Sequence, residues 1–65
     1  MTKHLKHFIE ETKEVDGQTV VEKHSANSYF EAMIIADKLG RKDVKIYNEA
    51  NELVFKFENG HGRSV

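Results

Sequence analysis

The chain has 65 residues, of which 10 are Lys or Arg and 11 are Asp or Glu, so its net charge is -1. This even balance carries no overall signature of nucleic-acid or anionic-membrane binding, and no apolar run approaches the ~20 residues of a membrane span. The absence of cysteine excludes disulfides. The first residues lack the apolar core of a signal peptide, so the sequence predicts one small cytoplasmic domain with no membrane partner.

The first predicted element is a β-hairpin over residues 1–25. Asp16-Gly17 favours a type I′ turn, because both central positions of such a turn require a positive φ. A two-residue loop places Ile9 on the same face as Val20, whereas a three-residue loop with a bulge pairs Ile9 with Val21. The sequence leaves both registers of residues 5–24 open. The apolar residues of the two arms are Leu5, Phe8, Ile9, Val20 and Val21.

The stretch from Ser28 to Gly40 predicts one short amphipathic helix. Ser28 and Glu31 form a capping box, in which the serine oxygen accepts from the Glu31 amide and the glutamate reaches back to the Ser28 amide. Gly40 is placed for the left-handed position that closes a helix. Counting ~100° per residue, the arc expected to face a sheet holds Tyr29, Ala32, Met33, Ile35, Ala36 and Leu39.

A second hairpin is predicted from two segments, residues 44–47 and 53–57, in which apolar and polar residues alternate. A loop over residues 49–52 joins them, and the apolar pairs predicted across the hairpin are Ile46 with Phe55 and Val44 with Phe57. Leu53 is expected on the same face, toward the helix. Val54 is expected on the reverse face.

Together these elements predict an α+β fold, a two-layer ββαββ sandwich with one helix packed on a four-stranded, mainly antiparallel sheet. The domain spans residues 1–58, and residues 59–65 are expected to form a flexible C-terminal tail. A crossover through the helix would make the second and third strands parallel. These patterns do not determine the order of the strands in the sheet.

The helix and its two flanking hairpins resemble a group of short bacterial and phage-encoded ββαββ proteins of unknown function. In that group a Ser or Thr begins the helix and an Ala-rich face meets the sheet. The tryptophan often found in its first hairpin is missing from this chain. The resemblance implies the fold and implies nothing about activity. The motif that carries it is Ser28-x-x-Glu31-Ala32-x-x-x-Ala36-x-x-Leu39.

The candidate metal ligands are four histidines: His4, His7, His24 and His61. A zinc site needs three or four ligands around one tetrahedral point. His4 and His7 are three residues apart, so in an extended arm they point to opposite faces and do not chelate together. We therefore expect no metal site and no cofactor.

Catalytic motifs are absent from the sequence. It contains no cysteine nucleophile, no Gly-x-Ser-x-Gly elbow and no phosphate loop. The carboxylates near the first turn lie on an exposed hairpin, where neither burial nor a neighbour prepares them for acid–base chemistry; they are Glu10, Glu11, Glu14 and Glu22. A domain of this size also has little room for a ~300 Å³ ligand pocket. We expect neither an enzyme nor a small-molecule substrate.

Surplus apolar residues are the most informative feature for function. After one core is assigned, four are left over: Phe30, Ile34, Tyr47 and Val54. Exposed apolar patches mark interaction sites, and a core this small profits from a partner. The sequence therefore predicts a small non-enzymatic interaction module, an adaptor or inhibitor-like protein that binds itself, as a homodimer, or another protein.

A basic cluster after the helix supports an alternative, a nucleic-acid-associated accessory protein. The predicted contacts to phosphates are Lys38, Arg41 and Lys42, with Lys3, Lys6 and Arg63 as further contributors. Asp37 and Asp43 interleave with this cluster. Basic residues near a helix end also complement the helix dipole, so this alternative is not favoured.

Overall fold

The computed structural model describes residues 6–65, which form one helix and one five-stranded sheet. The elements are β1 (His7–Val15), β2 (Gln18–Ala26), α1 (Tyr29–Lys38), β3 (Asp43–Tyr47), β4 (Leu53–Glu58) and β5 (His61–Ser64). The strand order is β2-β1-β3-β4-β5, and every neighbouring pair is antiparallel. The α+β class is confirmed, whereas the predicted number of four strands is too low. Leu5, expected in the first arm, lies outside the described residues.

The connection through α1 joins two strands that are not neighbours. Both β2 and β3 pair with β1 in antiparallel fashion, so they run in the same direction, as a crossover requires. The first hairpin uses only one edge of β1, and β3 adds to the other edge. This arrangement places β1 and β3 in the interior of the sheet.

The first hairpin adopts the two-residue turn, one of the two registers that the sequence left open. Asp16 has φ 53° and Gly17 has φ 78°, so both central positions take the left-handed conformation, and Val15 pairs with Gln18. This register sets Glu11 directly opposite Glu22. Like charges in that position are unfavourable, and the ion pair between Lys13 and Glu22, described below with the candidate site, offsets part of the repulsion.

Helix α1 begins at a side-chain cap that differs in one bond from the predicted capping box. The Ser28 Oγ accepts a hydrogen bond from the Glu31 amide at 3.0 Å, as predicted. The Glu31 Oε1 accepts from the Asn27 amide at 3.3 Å, one residue before the expected donor. Gly40 follows the helix with φ 87°. The helix therefore starts and stops where its local sequence indicates.

The second hairpin contains a β-bulge that changes the faces of two residues. The predicted pairs Val44 with Phe57 and Ile46 with Phe55 are confirmed. After Ile46 the register shifts, and Tyr47 pairs with Leu53. Leu53 therefore shares the face of Tyr47, and Val54 packs against the buried cluster. The predicted faces of Leu53 and Val54 are wrong, because an extra residue in one strand reverses the alternation beyond it.

The predicted tail is corrected by β5. Asn59 has φ 50° and Gly60 has φ 85°, which is the same turn chemistry as at Asp16-Gly17. Residues 61–64 pair with β4, and Phe57 lies opposite Gly62. The Asn-Gly dipeptide is a hairpin signal in its own right, so this strand was accessible to sequence reasoning.

The buried core joins α1 to the central strands. It consists of Ile9, Ala26, Ala32, Ala36, Val44, Ile46 and Phe57, with Met33, Ile35, Leu39, Val54 and Phe55 packed against it. Ala32 and Ala36 are fully buried, and their short side chains let the helix backbone approach the strands closely. Five residues of the arc expected to face the sheet pack in this core. Tyr29, the sixth, leaves 41% of its surface exposed, and its ring contacts His7 and Phe55 edge-on.

Candidate interaction surfaces

An apolar stripe lies along the outer side of α1. Phe30 leaves 75% of its surface exposed and Ile34, one helical turn later, leaves 43% exposed. Beside them lies an open groove of about 320 Å³ lined by Phe30, Met33, Ile34, Asp37, Arg41 and Phe57. We call Phe30 and Ile34 the helix stripe. Because the inner side of α1 is occupied by the core, these two side chains have no place in it.

The four residues predicted as one partner interface lie at three different places. Phe30 and Ile34 form the helix stripe. Tyr47 is half-buried on the opposite face of the sheet, directly across from Phe8. Val54 packs against the core cluster. The structure thus brings together only the two helical residues of the predicted set.

The basic cluster after α1 is partly neutralised. The guanidinium of Arg41 donates through Nε to the Asp37 Oδ1 at 2.7 Å, and it also forms an ion pair with the same carboxylate. Lys38 and Lys42 are exposed, and neither has an ion-pair partner within residues 6–65. Two of the three predicted phosphate contacts therefore keep an uncompensated charge.

The histidines are dispersed. His7 is buried and its ring meets Tyr29 edge-on, with centroids 5.6 Å apart. His24 Nε2 lies 3.8 Å from Glu11 Oε1, and His61 is exposed on β5. His4 lies outside the described residues. Across the part of the chain that the structure describes, no group of three His, Asp or Glu side chains is arranged to hold a metal ion.

The sheet face opposite α1 carries two parallel rows of side chains that sequence reasoning missed. Direct cross-strand pairing aligns Lys23, Glu10, Lys45, Lys56 and Arg63 from β2 to β5. We call the four basic residues of this line the cation row. The adjacent line contains Phe8, Tyr47 and Leu53; we call it the aromatic row. It lies two residues from the cation row along β1 and β3, and three residues from it along β4 because of the bulge. Alternation alone gives the face of each residue, but the alignment requires the strand order.

Neither a protein-family model nor a curated protein nor a solved structure matches this chain. The resemblance to short ββαββ proteins therefore stays a prediction. Among residues 6–65, no helix has the length and apolar character needed to cross a membrane. The surfaces themselves are the basis for any proposal about function.

The best-defined ion pair of the first hairpin joins Lys13 to Glu22. Their Nζ and Oε1 atoms are 2.8 Å apart. The hydrogen bond from Lys13, aided by its charge, lowers the pKa of Glu22, and the same bond raises the pKa of Lys13. A carboxylate with a lowered pKa stays ionised near neutral pH, so it is poorly suited to act as a general acid there. This pair serves the hairpin register instead, since it compensates one of the opposed glutamates.

Proposed function

We propose that this protein is a small non-enzymatic interaction module that self-associates through the helix stripe. The observation that carries the proposal is the exposure of Phe30, which leaves three quarters of a large apolar side chain in solvent. Ile34 extends the apolar surface by one helical turn, and the groove beside it adds the partly buried Met33. In the proposed two-layer arrangement, this stripe is the outer side of the helix layer.

A second copy of the chain fits this surface by charge as well as by apolarity. Glu31 near the start of α1 and Lys38 at its end lie on the same flank of the stripe, within about 20° on a helical wheel. In an antiparallel pair of identical helices, the same flanks meet. Glu31 of one copy then lies opposite Lys38 of the other, with Ile34 near the two-fold axis. Both pairs attract, and a parallel pairing would lose this complementarity.

The proposed interface is small, so the expected association is weak. A helix of 10 residues is about 15 Å long, and interfaces below about 1,200 Å² belong to transient complexes. A dissociation constant on the order of 100 μM is the expected range, which corresponds to about 5.5 kcal/mol. The alternative role, nucleic-acid binding by Lys38, Arg41 and Lys42, has less support because Asp37 neutralises Arg41.

Sedimentation equilibrium over a concentration series tests the proposal. The average mass is expected to rise from 7.5 kDa toward twice that value, and Phe30→Lys is expected to abolish the rise. Val15→Lys is the matched control, because Val15 is also an exposed apolar residue, at 45%, far along the chain from α1. Association that is equally weakened by both substitutions, or a chain that stays monomeric at millimolar concentration, contradicts the proposal.

A charge exchange tests the antiparallel arrangement. Glu31→Lys and Lys38→Glu are each expected to weaken association, because each places like charges opposite one another across the two-fold axis. The double variant restores opposite charges and is expected to recover association. Circular dichroism follows helix content in parallel, since Glu31 also takes part in the helix cap. A double variant that is weaker than either single variant would show that the helices do not pair in this way.

A further inference from the structure

Like charges within the cation row lower the stability of the sheet. Lys45 lies directly opposite Lys56, and Lys56 lies directly opposite Arg63, and like charges in such positions destabilise a sheet. Among the four basic residues of the row, as far as the structure describes the chain, Lys56 alone has a carboxylate at ion-pair distance: its Nζ lies 3.3 Å from the Glu58 Oε1. Basic residues on edge strands oppose edge-to-edge aggregation, but Lys45 lies on an interior strand. Glu10 offsets part of this repulsion, because it lies directly opposite both Lys23 and Lys45. The run Lys45, Lys56 and Arg63 still sets like charges opposite one another, so sheet stability does not account for that part of the row.

The aromatic row beside it offers flat, accessible rings. Phe8 pairs directly with Tyr47 across β1 and β3, and Phe8 leaves 39% of its surface exposed. An open cavity of about 410 Å³ lies over this region, lined by Phe8, Ile9, Glu10, Lys23, Tyr47 and Asn51. The walls are aromatic and the charged part of the lining holds both the cation of Lys23 and the carboxylate of Glu10. The cavity therefore suits the planar ring of a base whose phosphate is held by the other cations of the row.

We propose that this face of the sheet binds single-stranded nucleic acid, with bases stacked on Phe8 and Tyr47 and phosphates held by the cation row. Adjacent strands are about 4.8 Å apart, so the row extends over about 19 Å from β2 to β5. The aromatic row runs parallel to it about 7 Å away. A charged track for the backbone beside aromatic stacking positions is the usual composition of a single-strand binding surface.

Carboxylates on the side of the cation row away from the aromatic row determine the orientation of the bound strand. Asp43 lies opposite Glu58, two residues beyond the cation row on β3 and β4. These carboxylates repel a phosphate chain from that side, so the bases project toward Phe8 and Tyr47. An acidic peptide would satisfy the cation row but would leave the paired aromatic rings unexplained. Duplex nucleic acid would not present unstacked bases to them.

Fluorescence anisotropy with a labelled 12-nucleotide oligothymidylate tests the proposal on the full chain. Contacts to three or four phosphates on a single strand predict a loss of affinity of about 20- to 50-fold between about 50 and 200 mM salt. In Lys45→Gln/Lys56→Gln that loss is expected to shrink by about sevenfold, because two phosphate contacts are gone. Lys38→Gln/Lys42→Gln is the matched control on the other basic cluster and is expected to bind as the unaltered protein does.

Substitutions at Tyr47 and Glu58 test the stacking and the orientation. Tyr47→Leu is expected to weaken binding at least about fivefold, whereas Tyr47→Phe keeps the ring and is expected to bind normally. Glu58→Gln is expected to tighten binding, because it removes a repelling charge and releases Lys56. Circular dichroism of each variant confirms folding, and Tyr47→Phe keeps the comparison informative if Tyr47→Leu unfolds.

Several results would overturn the proposal. One is the absence of binding at about 50 mM salt with protein at about 0.5 mM, well above the usual range of non-specific dissociation constants. Another is binding that Lys38→Gln/Lys42→Gln removes and Lys45→Gln/Lys56→Gln does not. Polyglutamate that displaces the oligonucleotide at lower concentration than unlabelled oligothymidylate would assign the face to an acidic protein. Phe30→Lys is expected to bind normally, so failure of self-association leaves this test unaffected.

Discussion

Gly62 lies where the fold leaves no room for a side chain. Its substitution by alanine therefore provides a sharp test of the β4–β5 pairing. A Cβ atom at this position would lie 2.6 Å from the Phe57 Cε1 and 2.8 Å from the Phe55 Cε1. Carbon atoms do not approach this closely, so at least one ring must move. Both rings are in contact with each other, with centroids 5.0 Å apart, and Phe57 is 6% exposed within the core.

The expected cost of Gly62→Ala follows from two opposing effects. Overpacking a well-packed region costs about 1–3 kcal/mol, while replacing a strand glycine by alanine recovers about 0.5–1 kcal/mol of backbone entropy. The midpoints of these two ranges predict that the free energy of unfolding falls by about 1 kcal/mol. At about 4–8 °C per kcal/mol for a domain of this size, the melting temperature falls by roughly 4–8 °C.

Thermal and urea unfolding followed by circular dichroism measure this change. Gly60→Asn is the control without a clash, because a Cβ at Gly60 would meet open space. Asparagine is among the residues that best tolerate its φ of 85°, so we expect only a small cost from backbone strain. If the rings cause the effect, Gly62→Ala costs less in a Phe55→Leu background, where space is available. A Gly62→Ala protein at least as stable as the unaltered chain would refute the placement of the two rings over β5.

Three further predictions concern the helix cap, the hairpin ion pair and the last strand. Ser28→Ala is expected to reduce the unfolding free energy by about 1 kcal/mol through loss of the bond to the Glu31 amide, measured by urea unfolding with Ser28→Thr as the control. The pKa of Glu22 is lowered, so its contribution to stability is present above the ordinary value of 4.5 and is lost as the pH falls through the lowered folded value. Lys13→Gln is expected to raise the pKa of Glu22 toward 4.5, as measured by NMR titration of the Glu22 carboxyl carbon. A pKa of Glu22 that is the same in this variant and in the unaltered chain would contradict the ion pair. Removal of residues 59–65 is expected to expose the edge of β4 and promote aggregation, measured by light scattering, whereas a flexible tail could be removed without effect.

Local signals account for the parts of the fold that the sequence predicted correctly. The turn at Asp16-Gly17 depends on two residues that accept positive φ, and the start of α1 depends on Ser28 and Glu31, which are three residues apart. Asn59-Gly60 carries the same kind of signal as the first turn, but residues 59–65 were predicted to be a flexible tail, so β5 was missed. Each of these features is decided by side chains that lie within a few residues of the backbone they act on.

Other features depended on contacts that no local pattern encodes. The bulge after Ile46 reversed the expected faces of Leu53 and Val54, because one extra residue shifts every position beyond it while leaving the composition of the strand unchanged. The need for glycine at position 62 likewise arises from rings on a neighbouring strand. The bulge and the need for glycine both follow from the register between neighbouring strands, so they can be identified only after the strands are paired.

The sequence by itself determined the α+β class of the fold, the positive-φ turn at Asp16-Gly17, the limits of the helix and most of the residues in the core. Tertiary structure alone decided the order of the strands, and with it the cation row and the aromatic row. The cation row exists only because β1 and β3 are neighbours and β5 adds beyond β4, which aligns charges up to 40 positions apart in the chain. The physical reason is that hydrogen bonds between strand edges depend on backbone groups common to all residues, so the choice of partner is made by the packing of the whole domain.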